Sequence, residues 1–237
     1  MSTPCLISRL TLLLALSLPS LLHAAAPAPF MVRYNASYGS FNAESTRSLQ
    51  LDAASGHYVM LAETRLTLLG ANLSSIRERS EFLWQDDAPQ PLLYSYEQKG
   101  IGARNRNIRF DQEQHTLTWA ADGKSGSLPF TEPVYDDLTS FIEIRRQLLQ
   151  GRDDIQFNVV DKDTIDPYHY QVLGQDTLKT PIGEYSTVHL MRVRDANSVR
   201  STEFWLAPDL DYVLLKLRHM EPDKRLIQLN VQSLERR

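Results

Sequence analysis

The stretch Asp136–Gly151, DDLTSFIEIRRQLLQG, decides the fold, because it is the one place where the chain changes its period. Leu138, Phe141, Ile142, Leu148 and Leu149 recur at intervals that line up one face of an α-helix. Asp136 or Asp137 can cap the amino end by accepting first-turn N–H groups, and Gly151 stands where a left-handed C-cap belongs. Arg145 and Arg146 lie toward the carboxyl end, where the helix dipole favours cations. One amphipathic helix over about 136–150 is therefore expected.

On both sides of that helix the chain alternates with period two. Val32, Tyr34, Ala36 and Tyr38 share one face of a strand, with Arg33, Asn35 and Ser37 on the other. Strand patterning continues through 41–52, 57–69, 76–84, 92–98, 107–110 and 116–120, with Asp122-Gly123 as a hairpin turn. Beyond the helix it resumes over 155–160, 168–175, 184–194, 200–206, 212–220 and 225–233, punctuated by Pro181-Ile182-Gly183 and Pro208-Asp209-Leu210-Asp211. The order is strands, helix, strands, with no repeating βαβ unit. This predicts a mainly β fold: a strongly curved antiparallel sheet, half-barrel or barrel-like, with the helix packed on its concave side.

The first 24 residues read as an address. Arg9 and the free amino terminus supply positive charge, Leu10–Leu22 is an apolar run, and His23-Ala24-Ala25-Ala26 offers small-residue cleavage sites. These are the parts of a secretory signal peptide, and the run is too short for a comfortable permanent span. Cleavage after Ala24 leaves 25–237 as a single β-rich domain in the periplasm, with no permanent membrane span. The single cysteine, Cys5, precedes the apolar run, so it cannot be a lipid-bearing residue behind it, and the remainder has no thiol for disulfides or metal. The net charge of −4 argues against a nucleic-acid partner, which requires a basic face.

Catalytic and metal motifs are absent. There is no Gly-x-Ser-x-Gly elbow, and no pair of histidines at ligand spacing. Gly100-Ile-Gly102 lacks the third glycine of a dinucleotide loop and reads as a turn; Asp161-Lys-Asp163 lacks the glycine and glutamate of a calcium loop. Asp136, Asp137 and Glu143 are the nearest carboxylates to an acid pair, yet two acids at a helix start are more simply a cap and a dipole partner. No cofactor and no metal are expected. The aromatic residues of the strands carry the functional expectation: Tyr34, Tyr38, Phe82, Trp84, Tyr94, Tyr96 and Trp205 form a set able to line a cavity. Arg104 and Arg106 beside the 100–103 turn are placed to grip an anionic headgroup or glycan.

Several segments together resemble a known family. They are Tyr34-Asn-Ala36-Ser-Tyr38-Gly39-Ser-Phe41, Pro91-Leu-Leu-Tyr94, Asp136-Asp137-Leu138-Thr-Ser140, Leu173-Gly174-Gln-Asp176-Thr-Leu178 to Thr180-Pro181-Ile-Gly183, and Phe204-Trp205-Leu206-Ala207-Pro208-Asp209. In this order they are similar to the bacterial envelope family catalogued as domain of unknown function 3108. The resemblance implies an exported, mostly β protein without an assigned activity, so it transfers no catalytic residue. Its strand pattern with a central helix is similar to the half-barrel of periplasmic lipoprotein carriers, an analogy of fold only. The leading expectation is a non-enzymatic binding or carrier protein for an apolar or amphipathic envelope molecule, such as a lipid or glycolipid. The alternatives are a scaffold that binds an envelope protein partner, and a hydrolase of envelope polymers.

Overall fold

The computed structural model describes residues 24–68 and 71–236. Residues 1–23 of the expected leader lie outside the described residues. Eight strands come first: β1 (Phe30–Tyr38), β2 (Phe41–Leu51), β3 (Tyr58–Leu68), β4 (Ala71–Gln85), β5 (Ala88–Gly100), β6 (Arg104–Asp111), β7 (Thr116–Ala121) and β8 (Lys124–Pro129). After β9 (Val134–Tyr135) and the helix α1 (Thr139–Leu149) follow β10 (Asp154–Asp161), β11 (Thr164–Thr180), β12 (Gly183–Arg192), β13 (Ser201–Ala207), β14 (Val213–Met220) and β15 (Leu226–Arg236). All fifteen strands belong to one sheet in the order β8-β7-β6-β5-β4-β3-β2-β1-β15-β14-β13-β12-β11-β10-β9. Every pairing is antiparallel except the short parallel one between β9 and β10.

This order explains the curvature. The sheet grows outward in two arms from the β1–β15 pair, and its two edges, β8 and β9, are joined by residues 130–133. Laid flat, fifteen strands would separate those edges by about 65 Å. Four residues span at most about 14 Å. The sheet must therefore curl until its ends nearly meet, although no ladder joins β8 to β9. Register shifts at Arg33/Tyr34, Leu66/Thr67, Glu81/Phe82, Val172/Gly174 and Trp205/Leu206 are the bulges that sharpen the bend.

The helix fills the space inside. Leu138 and Ile142, one turn apart, join the core of the first arm with Leu49, Met60, Phe82, Ile108 and Leu117. Ile144 and Leu148 join that of the second arm with Val32, Tyr34, Ile155, Leu190, Phe204 and Leu215. The helix packs on the concave side as expected, and sheet lies on both sides of it. Glu143, Arg145 and Gln147 are buried too. Each has partners: Glu143 accepts hydrogen bonds from Arg146 and Gln147, while Arg145 donates to Asp211 and to the Ala25 carbonyl. A buried charge without such partners would cost several kcal/mol.

Both ends of α1 carry the expected caps. Asp136 Oδ1 accepts the N–H groups of Leu138 and Thr139, and Thr139 Oγ1 accepts the Asp136 N–H, a reciprocal capping box. At the other end Gly151, at φ +74, donates to the Leu148 carbonyl and Arg152 donates to that of Gln147, which is a Schellman motif. Among the described residues no helix is long and apolar enough to cross a membrane.

Candidate functional site

A cleft of about 610 Å3 opens between the two arms above the amino end of α1. Leu138, Ser140 and Phe141 form its floor; Glu78, Tyr96, Arg104 and Arg106 of β4–β6 make one wall, and Tyr168, Tyr170, Arg192 and Phe204 of β11–β13 the other. Arg47 reaches in from β2, and Arg194 and Arg200 enter from the connection after β12. Strand parity puts these side chains here. Arg47 is in phase with buried Ala43, Ser45 and Leu49, Arg106 with Ile108 and Phe110, and Arg192 with Val188 and Leu190.

The far wall is a run of rings. Phe141 lies 5.2 Å from Phe204, Phe204 5.6 Å from Tyr170, and Tyr170 6.4 Å from Tyr168 between centroids. Guanidinium groups cover its ends. Arg47 Cζ lies 4.5 Å above the Phe141 ring and Arg192 Cζ 3.3 Å above that of Tyr168.

The near wall is a polar network. Arg106 Nη2 donates to Asp137 Oδ2 (2.6 Å) and to the Tyr94 hydroxyl (3.1 Å), and Nη1 donates to Asp161 (2.7 Å). Burial opposes the Arg106 charge, but Tyr94 and Asp137 hold its pKa above the ordinary arginine value. Glu78 is pushed up to about 7 by burial and then by the negative charge of Asp137. Behind it, burial lifts Asp136 to about 6 despite hydrogen bonds from Ser80, Leu138 and Thr139. Across the cleft, burial and then the charge of Arg192 depress the pKa of Arg194.

Of the residues singled out from the sequence, Tyr96, Arg104 and Arg106 meet at this cleft, and Tyr94 lies buried behind it, bonded to Arg106. The others lie elsewhere. Tyr34 is buried and donates to the Leu214 carbonyl; Phe82 is wholly buried and stacked 5.2 Å from Tyr58; Trp84 packs on the first-arm core; Tyr38 sits at the β1–β2 turn under Arg225. Trp205 alternates with inward Phe204. It stacks on His189 at 4.2 Å and donates to Asp176, with Lys216 over its ring. Asp136, Asp137 and Glu143 do not converge as an acid pair, since they serve the cap, Arg106 and Arg146 respectively. Arg47, Glu78, Arg192 and Arg194 were not singled out from the sequence. Their signal was a charged residue in phase with buried apolar ones.

A second, broader depression of about 890 Å3 runs across β5–β8. Its lining mixes the apolar side chains Leu93, Ile108 and Trp119 with small polar ones such as Ser95, Thr118 and Ser127; Arg79 and Arg109 are its charges, and no carboxylate among the described residues lines it.

The model of the family described as protein of unknown function DUF3108 matches residues 33–224. No protein of curated function matches the chain. Among solved structures, a β-barrel-like protein of domain of unknown function DUF1849 from Brucella abortus superposes with a TM-score of 0.60 at 10% identity. That match covers 90% of this chain and 99% of that one, and shows a shared fold. A protein with a YmcC-like fold from Bacteroides fragilis reaches a TM-score of 0.38 at 10% identity, over 87% of this chain and 95% of that one.

Proposed function

The chain belongs to the DUF3108 family of proteins of unknown function, and from that premise we propose that it is a non-enzymatic binding or carrier protein, exported to the periplasm, for an amphipathic envelope molecule. The observation that carries this reading is the composition of the cleft. Its volume of about 610 Å3 suits one small ligand or the end of a larger one, and it sets a wall of four aromatic rings beside a set of fixed polar donors. Rings bury the apolar part of such a molecule; the donors orient its polar part. Asp136, Asp137 and Asp161 are engaged as a helix cap and as partners of Arg106, which favours binding over hydrolysis.

Native mass spectrometry of the protein recovered from a bacterial periplasm tests this. An added mass, released on denaturation and identified as a lipid or glycolipid, is the expected result. A bare polypeptide mass, together with no uptake of dodecyl phosphate or dodecyl maltoside, removes the reading.

One observation favours a second reading, the scaffold. The edge strand β8 is almost wholly exposed, and one row of its backbone groups is free to pair with a strand of an envelope protein. In-cell crosslinking from β8 separates the two: a stoichiometric protein adduct without extractable lipid selects the scaffold.

A further inference from the structure

We infer that the molecule held in this cleft carries a phosphate-class anion, and that Arg47, Arg192 and Arg194 are the side chains that receive it. The inference rests on the cleft being the ligand site, and adds the chemistry of the ligand's polar end.

The argument is an account of charges. Among the carboxylates lining the cleft, Asp137 and Asp161 are both taken by Arg106, and Glu221 faces Arg200 and His219. Asp122 accepts the Asn105 N–H at the rim. Among the described residues, five cations of the cleft have no carboxylate within ion-pair distance: Arg104 and Lys162 are exposed at its rim, and Arg47, Arg192 and Arg194 are half-buried further in. Glu78, the remaining acid, is half-buried, faces Arg47 and Arg106, and is only part-ionised near pH 7.

Hydrogen bonding points independently to two of these three side chains, Arg47 and Arg194. Five buried side-chain polar atoms among the described residues lack a partner, and three are the Nε atoms of Arg47, Arg106 and Arg194, all in this cleft. Native proteins leave few such donors unmet, and those they leave call for an explanation. Arg194 has one bond, from Nη2 to Thr202 Oγ1 at 3.1 Å; Arg47 lies over the Phe141 ring and feels the charge of Glu78, with its Nε unbonded. Arg192 and Arg194 repel one another, and burial makes the Arg194 charge more costly still. An incoming anion removes both penalties at once.

The number of cations selects the class. A carboxylate is planar and is satisfied by one forked arginine, whereas the tetrahedral oxygens of a phosphate group accept from several directions. Here the donors arrive from β2 and from the end of β12, on different parts of the sheet. A phosphorylated lipid headgroup and a soluble phosphate ester share this chemistry.

Titration calorimetry with dodecyl phosphate, dodecyl maltoside and inorganic phosphate tests the inference. Dodecyl phosphate is expected to bind at least tenfold tighter than dodecyl maltoside, and to weaken as salt is raised. The Arg192→Gln/Arg194→Gln variant is expected to lose that tenfold preference, binding the two detergents alike. Competition by millimolar inorganic phosphate supports the anion class and assigns it a soluble source; no competition alongside tight dodecyl phosphate binding assigns a lipid headgroup. Equal binding of both detergents, or a variant indistinguishable from wild type, overturns the anion and leaves the cleft reading intact. Binding of neither overturns both. A readout without ligand guards against misfolding: because Arg192 and Arg194 repel when no anion is bound, Arg192→Gln alone is expected to raise Tm. A lowered Tm counts against the inference.

Discussion

Arg106 on β6 and Asp137 at the head of α1 meet at 2.6 Å across a seam that no backbone ladder closes. The same guanidinium reaches Asp161 at the end of β10, so one side chain ties the first arm to the helix and to the second arm. Arg106→Met keeps the apolar stem and removes the clasp. Both aspartates are partly solvated, which reduces the cost of losing their partner to about 2 kcal/mol, below the range for fully buried pairs. Hydrogen exchange should quicken first in β9 and β10, at the seam. Uniform acceleration across the whole sheet, or none, would show that Arg106 is not a clasp.

Much of this fold was legible, and the limits have physical causes. Period two placed the strands, the single change of period placed α1, and both caps, Asp136 and Gly151, follow from local backbone chemistry. The burial of Glu143, Arg145 and Gln147 was not legible, because a helix enclosed from two sides shows the same apolar stripe as one lying on a surface. The site divides in the same way. Alternation tells Phe204 from Trp205, one inward and one stacked on His189, but counting aromatic residues merges them. Arg47 and Arg192 are far apart in sequence. Only the curl of the sheet, which the pattern of one strand does not encode, brings them to one cleft.

Acidity should stabilise this protein within a defined window. Burial raises Asp136 from 3.8 to about 6 in the folded chain, worth ~3 kcal/mol of differential stability. A carboxyl that holds its proton more tightly when folded contributes stability that is complete below its unfolded pKa. That contribution is lost as pH rises through the folded value. Glu78, at about 7, acts in the same direction. Stability should therefore fall between about pH 4 and 7. Asp136→Asn keeps an oxygen for the Leu138 and Thr139 N–H groups and cannot ionise, so it should flatten that slope. Urea midpoints at pH 5 and pH 7.5 measure the effect, and an unchanged slope in the variant would refute it.

Two glycines with similar backbones should respond differently to alanine. Gly151 and Gly100 both have positive φ, +74 and +81, where a side chain is strained. A Cβ on Gly151 would meet nothing within 4 Å, so Gly151→Ala should cost only the conformational term, about 1 kcal/mol. On Gly100 it would fall 2.3 Å from the Leu73 carbonyl oxygen, which accepts the Ile101 N–H and cannot give way cheaply. Gly100→Ala should cost more, and should loosen the β5–β6 turn beside Arg104. Equal losses in chemical denaturation would mean that strain, not contact, governs both positions.

The helix is a wedge shared by both arms, and this makes a prediction about cooperativity. Ile142 packs into the first-arm core and Ile144 into the second, on one rigid element of three turns. Truncating either to alanine leaves a cavity, with an expected cost of about 2–5 kcal/mol. If the arms were independent folding units, Ile142→Ala would weaken protection in β3 and β4 and leave β13 and β14 as they were. The continuous sheet through β1 and β15, together with a helix that serves both cores, argues that neither arm can open alone. Each variant should therefore lower protection in both arms by a similar factor and unfold in a single denaturant transition. A biphasic transition, or loss of protection confined to the arm that lost its isoleucine contact, would divide the protein into two units and remove the wedge as the source of its cooperativity.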